Sequence, residues 1–84
     1  MIIDIDPTNG LPIFLQIIEQ VKYKIAAGAL QEGDQLPSVR QLATHLRINP
    51  NTVSKAYNEL ERNGLIQTRR GMGCFVADKG FAHE

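Results

Sequence analysis

The feature that most constrains the fold is a pair of helix starts, at Ser38 and at Asn49, with room between them for one short helix and a turn. Leu36-Pro37 precedes the first. The residue before a proline is pushed out of the helical region, so the chain enters by an extended step. Ser38 can then cap, and Gln41, three residues on, can reach back to the cap's own N–H, which is the spacing of a capping box. Val39, Leu42, Ala43 and Leu46 form an apolar stripe over about nine residues, ending near Arg47-Ile48. Asn49-Pro50 opens the next helix: the asparagine caps, and the proline fills the first position, where no backbone donor is missed. Its apolar face is Val53, Ala56, Tyr57 and Leu60, and Asn63-Gly64 ends it, because glycine accepts the left-handed C-terminal cap.

The flanking segments complete the architecture. Phe14, Ile17, Ile18, Val21 and Ile25 recur at three- and four-residue steps, with Gln16, Glu19, Gln20, Lys22 and Lys24 between them, so an amphipathic helix runs from Pro12 to an exit at Gly28. Before it, residues 2–10 hold alternating Ile and Asp and then turn chemistry, and read as an arm. After the third helix, Leu65-Ile66-Gln67-Thr68 and Cys74-Phe75-Val76 are short β runs around the turn Arg69-Arg70-Gly71-Met72-Gly73, a hairpin. The expected fold is mostly α with a small β-hairpin: a winged helix-turn-helix of three helices plus a wing. Residues 1–11 are expected as the arm, 12–77 as the domain and 78–84 as a tail.

Eighty-four residues suffice for one domain, and 43% apolar with 21% charged residues separates the chain from disordered sequences. A lone cysteine allows no internal disulfide and suits a reducing compartment. The start has no basic flank, and no apolar run approaches the roughly 20 residues that span a bilayer, so a cytoplasmic protein with no membrane partner is expected. Cys74 reads as a packing residue, and His45 and His83 lack partners at ligand spacing, so neither a metal nor a cofactor is expected. Gly71-x-Gly73 lacks the following lysine and the strand-turn-helix context of a phosphate loop. No nucleophile, base and orienter can be assembled, so no enzyme is expected.

The net charge of zero conceals an asymmetry. Residues 1–35 hold two lysines against five acids, whereas residues 36–76 hold six basic residues against two acids. The basic excess coincides with the helix pair and the hairpin, and a local excess sets the field over a binding face. A helix-turn-helix can lay its second helix in the DNA major groove. On that helix the core assignment leaves Asn51, Thr52, Lys55, Asn58, Glu59 and Arg62, with short polar groups at the N-terminal end for base edges and Lys55 one turn on for a phosphate. Arg40 sits on the outer side of the shorter helix, and Arg69-Arg70-Gly71 puts two cations and a permissive glycine at the wing. The partner expected from this is double-stranded DNA. A winged helix used for protein contacts, its basic face meeting an acidic partner, is the rival reading.

Three runs of residues carry a further resemblance. They are Gly28-x-Leu30-x-x-Gly33-Asp34-x-Leu36-Pro37-Ser38-x-Arg40-x-Leu42-Ala43, Asn49-Pro50-Asn51-Thr52-Val53-x-x-Ala56-Tyr57-x-x-Leu60, and Gly64-Leu65-Ile66 with Gly71-x-Gly73-x-Phe75-Val76. Over about residues 12–77 the chain resembles the DNA-binding domain of GntR-family bacterial transcription regulators, and its Asn-Pro-Asn-Thr-Val and Ala-Tyr elements resemble the YtrA-like branch. The resemblance implies a homodimeric repressor on a palindromic operator; family members continue into an effector or dimerisation region, so either the chain continues past Glu84 or the dimer forms through the first helix and arm. It implies DNA contacts from Ser38 and Arg40, from Asn49, Asn51 and Thr52, and from Arg70 and Gly71. Lys55 and Arg69 rest on the placement of their charges alone. The operator and any small-molecule effector are not legible in these residues.

Overall fold

The structure, a computed structural model, describes residues 3–78. Three helices, α1 (Ile13–Ala26), α2 (Val39–Leu46) and α3 (Pro50–Arg62), are combined with three short strands, β1 (Gln35–Leu36), β2 (Ile66–Arg69) and β3 (Gly73–Val76). The fold is a winged helix-turn-helix, as expected, with one addition. The extended step before Pro37 is itself a strand, so the hairpin belongs to a three-stranded antiparallel sheet in the order β1-β3-β2. Gln35 pairs with Phe75 and Leu36 with Cys74, while Ile66 to Arg69 pair with Val76 to Gly73. A two-residue strand has too little periodicity to announce itself, and its pairing partner lies nearly forty residues away in sequence.

Local chemistry sets the helix ends. Pro12 stands at the N-cap of α1 rather than inside it, its carbonyl accepting from the Leu15 and Gln16 amides. The capping box of α2 is complete: the Gln41 amide N–H donates to Ser38 Oγ at 3.0 Å, and the Ser38 N–H donates to Gln41 Oε1 at 2.9 Å. At α3 the Asn51 N–H donates to Asn49 Oδ1 at 2.8 Å, and Pro50 takes the first position. Gly64 follows with φ 78°, and the Leu65 N–H closes back on the Leu60 carbonyl at 3.0 Å. The turn between α2 and α3 is unusual in having no glycine. Arg47 itself takes the left-handed conformation, φ 59° and ψ 48°, a placement that costs an L side chain about 1–2 kcal/mol.

The core lies where all the elements meet. Ile17 and Val21 of α1, Leu42 and Ala43 of α2, Val53, Ala56 and Leu60 of α3, and Ile66 and Val76 of the sheet are buried together. Each fully buried Val, Leu or Ile side chain among them contributes roughly 1.5–3 kcal/mol. Tyr57 is buried too, and its hydroxyl donates to the Pro37 carbonyl at 2.8 Å, tying α3 to the step that enters α2.

The segment read as an arm is strapped down on α1. Ile3 is fully buried in the core. Gln16 and Gln20, read from sequence as part of the polar face of α1, hold the strap in place. The Asp6 N–H donates to Gln16 Oε1 at 2.8 Å, and Gln16 Nε2 donates to the carbonyls of Asp6 and Leu11. One turn back towards the strap's start, the Gln20 amide makes the same two-way pair with the backbone of Asp4. A glutamine amide offers one acceptor and two donors, so it can stand in for a neighbouring strand's peptide group.

Candidate nucleic-acid interface

With Val53, Ala56, Tyr57 and Leu60 turned inward, α3 presents Asn51, Lys55, Asn58 and Arg62 along its outer row, at helical steps of three and four. All four are exposed. Asn51 stands in the first turn with its side chain unpartnered among the described residues, and Thr52 beside it is half-buried. Arg62 pairs with Glu59, which leaves the far end of the row closer to neutral. Lys55 is not a free cation: its Nζ lies 4.0 Å from the centroid of the Phe14 ring, so α1 holds the lysine stem against the flank of α3.

Ser38 and Arg40 open α2 and are both exposed. The Ser38 and Asn49 oxygens each accept from a helix-cap N–H, which leaves the Ser38 hydroxyl proton and the Asn49 amide NH₂ as donors without a partner among the described residues. The start of α2, one flank of α3 and the base of the wing meet at a groove of about 210 Å³ lined by Ser38, Ser54, Asn58, Glu61, Thr68 and Gly73, among others. Glu61 closes one side of it by accepting from the Thr68 backbone N–H at 3.0 Å, which fastens β2 to α3.

The two wing arginines part company. The sequence reading placed Arg69 and Arg70 together in the turn, but Arg69 is the last residue of β2. Successive side chains on a strand point to opposite faces. Thr68 faces α3 through Glu61, so Arg69 faces away, and its guanidinium stacks on the Phe75 ring at 4.7 Å from the centroid. With its amide turned to satisfy both atoms, Gln67 accepts from the same guanidinium at 2.8 and 3.1 Å. Arg70 and Gly71 form the exposed tip, where Gly71 has φ 76° and the Met72 N–H returns to the Arg69 carbonyl at 2.9 Å. Of the residues singled out from sequence, Ser38 lines the groove; Arg40, Asn51 and Arg70 are exposed on the elements that flank it, whereas Lys55 is drawn towards α1 and Arg69 lies on the outer sheet face.

Burial pushes the titratable groups behind this surface upward. The Tyr57 phenol lies well above its ordinary range, mainly through desolvation. The Cys74 thiol is raised for the same reason, against a partly opposing hydrogen bond with Thr68. Neither presents a charge to the groove at neutral pH.

Two further residues support the surface and were not singled out from sequence: Glu61, which anchors β2, and Gln35, which bonds the wing turn. Each acts across the fold on a backbone group, and no local spacing signals such a contact.

A helix-turn-helix whose second helix carries an outer polar row, flanked by a basic hairpin turn, defines a winged-helix DNA-binding domain. The chain belongs to the GntR family: the model of bacterial regulatory proteins of the gntR family matches residues 14–76. It is 54% identical over 76 residues to the HTH-type transcriptional repressor YtrA of Bacillus subtilis (strain 168), an alignment that covers 90% of this chain and 58% of that protein. Among solved structures it is similar to YtrA from Sulfolobus acidocaldarius, a GntR-family transcription factor, with a TM-score of 0.86 and 42% identity over 94% of this chain and 83% of that one. The DNA-binding domain of AraR in complex with operator ORX1 superposes with a TM-score of 0.76 at 27% identity, over 87% of this chain and 90% of that one. The chain spans less than two thirds of the length of the curated relatives it matches. Among the described residues no helix is long and apolar enough to cross a membrane.

Proposed function

We propose that this domain reads double-stranded DNA by sequence and serves a cytoplasmic repressor that binds a palindromic operator as a homodimer. The observation that carries the reading is the exposed outer row of α3, which is free of the core and one member of which, Asn58, lines a groove with the start of α2 and the base of the wing. Asn51 and Arg40 read base edges, because both are exposed and unpartnered among the described residues. Thr52, Asn49 and Ser38 add hydrogen bonds from the two helix starts, where free backbone N–H groups also favour phosphate. Lys55 and Arg69 contribute charge to the sugar-phosphate backbone, each from a ring-stacked position. Arg70 and Gly71 bring the wing tip to the neighbouring minor groove. The role is one of binding, with no catalytic step. The name of the Bacillus subtilis relative supports repression, and the AraR domain was solved on operator DNA.

A single winged helix buries roughly 600–1,000 Å² on DNA, so tight operator binding requires two domains held about one helical turn apart. The expected result is that a palindromic duplex from the protein's own promoter outcompetes scrambled DNA at about 150 mM salt. Equal competition by the two duplexes overturns specific readout and turns the basic face towards an acidic protein partner.

A further inference from the structure

The wing tip has little of its own to hold it. Gly71 and Gly73 both have positive φ, 76° and 118°, Met72 between them is 61% exposed, and one backbone bond, Met72 N–H to the Arg69 carbonyl, closes the turn. A side chain from elsewhere completes it. Gln35, the first residue of β1, donates from Nε2 to the Met72 carbonyl at 3.0 Å. The amide passes so near Gly73 that a Cβ there would sit 2.8 Å from Nε2. Glycine at position 73 is favoured by its backbone angle, and any side chain there would push the Gln35 amide off its bond to Met72.

What Gln35 joins gives the contact its meaning. β1 runs through Leu36-Pro37 directly into Ser38, the cap of α2, so the amide links the strand that feeds one DNA-facing element to the turn that forms another. We infer that Gln35 is a positioning residue for the wing, fixing the turn at residues 70–72 relative to the start of α2, with Gly73 as the opening through which it reaches. The inference rests on the DNA reading above and adds to it the means by which the wing is set. Without the bond the strands remain paired, but the tip swings about its two glycines. Ordering Arg70 then becomes a cost of binding instead of a property of the free protein.

The test compares wild type with Gln35→Met, which keeps the length and removes the donor, and with Gln35→Glu, which keeps the shape and opposes an acceptor to the carbonyl. In the free 84-residue chain, backbone order parameters at residues 70–72 are expected to fall from about 0.85 to below about 0.6 in both variants, while those of Cys74 to Val76 and the thermal midpoint stay put. Affinity for a mixed-sequence duplex of about 30 base pairs at about 50 mM salt falls about two- to tenfold, the worth of one hydrogen bond. Arg70→Ala should then weaken binding at least about twofold less in the Gln35→Met background than in wild type, because the two residues act through one turn. A tip equally ordered in all three proteins overturns the inference, as does an Arg70→Ala loss of the same size in both backgrounds. Absence of any duplex binding by wild type would sink the DNA reading itself and with it the wing's purpose, while the order parameters still decide whether Gln35 fixes the turn.

Discussion

The two parts of the proposed DNA surface are secured in opposite ways. The helix-turn-helix is backed by Leu42, Ala43, Val53, Ala56 and Leu60, so its outer row is the far side of a packed core. The wing tip has no core behind it: its strands are anchored by Ile66 and Val76, but the turn is held by individual hydrogen bonds, one accepted by the Arg69 carbonyl and one donated by the Gln35 amide. Close-packed side chains yield only as a group, whereas single bonds on an exposed turn can be lost one at a time. The surface therefore combines a part backed by packed side chains with a part held by single bonds.

The largest expected effect strikes the rigid part. Leu60→Ala should destabilise the domain by about 2–5 kcal/mol, a large fraction of what a chain of this size possesses, whereas Met72→Ala at the tip should stay within about 0.5 kcal/mol. Chemical denaturation of the two variants measures the contrast, and similar losses from both would erase it. Next come the contacts themselves. Arg40→Ala and Asn51→Ala should each weaken the best duplex by about 1–3 kcal/mol and flatten its advantage over other sequences. Lys55→Ala should instead weaken all duplexes alike and lower the salt slope by about one. A uniform loss for Arg40→Ala would reassign it to the phosphates.

The third prediction concerns pH. Burial raises the folded-state pKa of both Cys74 and Tyr57 above their ordinary values of 9.0 and 10.0. In each case the unfolded chain loses its proton first, so stability is full below about pH 9 and declines as pH rises beyond it. Tyr57→Phe should cost about 0.5–1.5 kcal/mol at neutral pH, from the lost bond to Pro37, and should remove the part of the alkaline decline that begins near pH 10. Urea midpoints from pH 7 to 11 follow both effects; an identical alkaline decline in the variant would place it elsewhere. The smallest effect runs the other way. Arg47→Gly relieves the left-handed arginine between α2 and α3 and should raise stability by about 0.5–1 kcal/mol, part of the gain being offset by the loss of a cation near the end of α2. A lowered thermal midpoint would show that the arginine side chain contributes more than its backbone costs.

How far the sequence could be read depends on the range of the interaction. Ser38 with Gln41, Asn49 with Pro50, and Gly64 act within a turn of themselves, and the structure has all of them in the expected places. The polar row of α3 followed from the same local periodicity. What stayed hidden acts over distance. β1 exists because Leu36 meets Cys74, Arg69 turns outward because Thr68 meets Glu61, and Lys55 lies on α1 because Phe14 is there. Gln16 and Gln20 looked like solvent-facing residues because nothing in a helical pattern distinguishes an amide that bonds water from one that bonds a strap. The left-handed Arg47 was masked by its identity, since the expected signal there is a glycine.

The order β1-β3-β2 also bears on biosynthesis. The central strand is the last to be made, so while the chain is being translated β1 and β2 both wait, without a partner, for residues 73–76 to appear. The three helices lie wholly upstream and need no strand to start coiling. A nascent chain thus has α3 before it has a wing, and the arrival of one four-residue segment joins three strands at once.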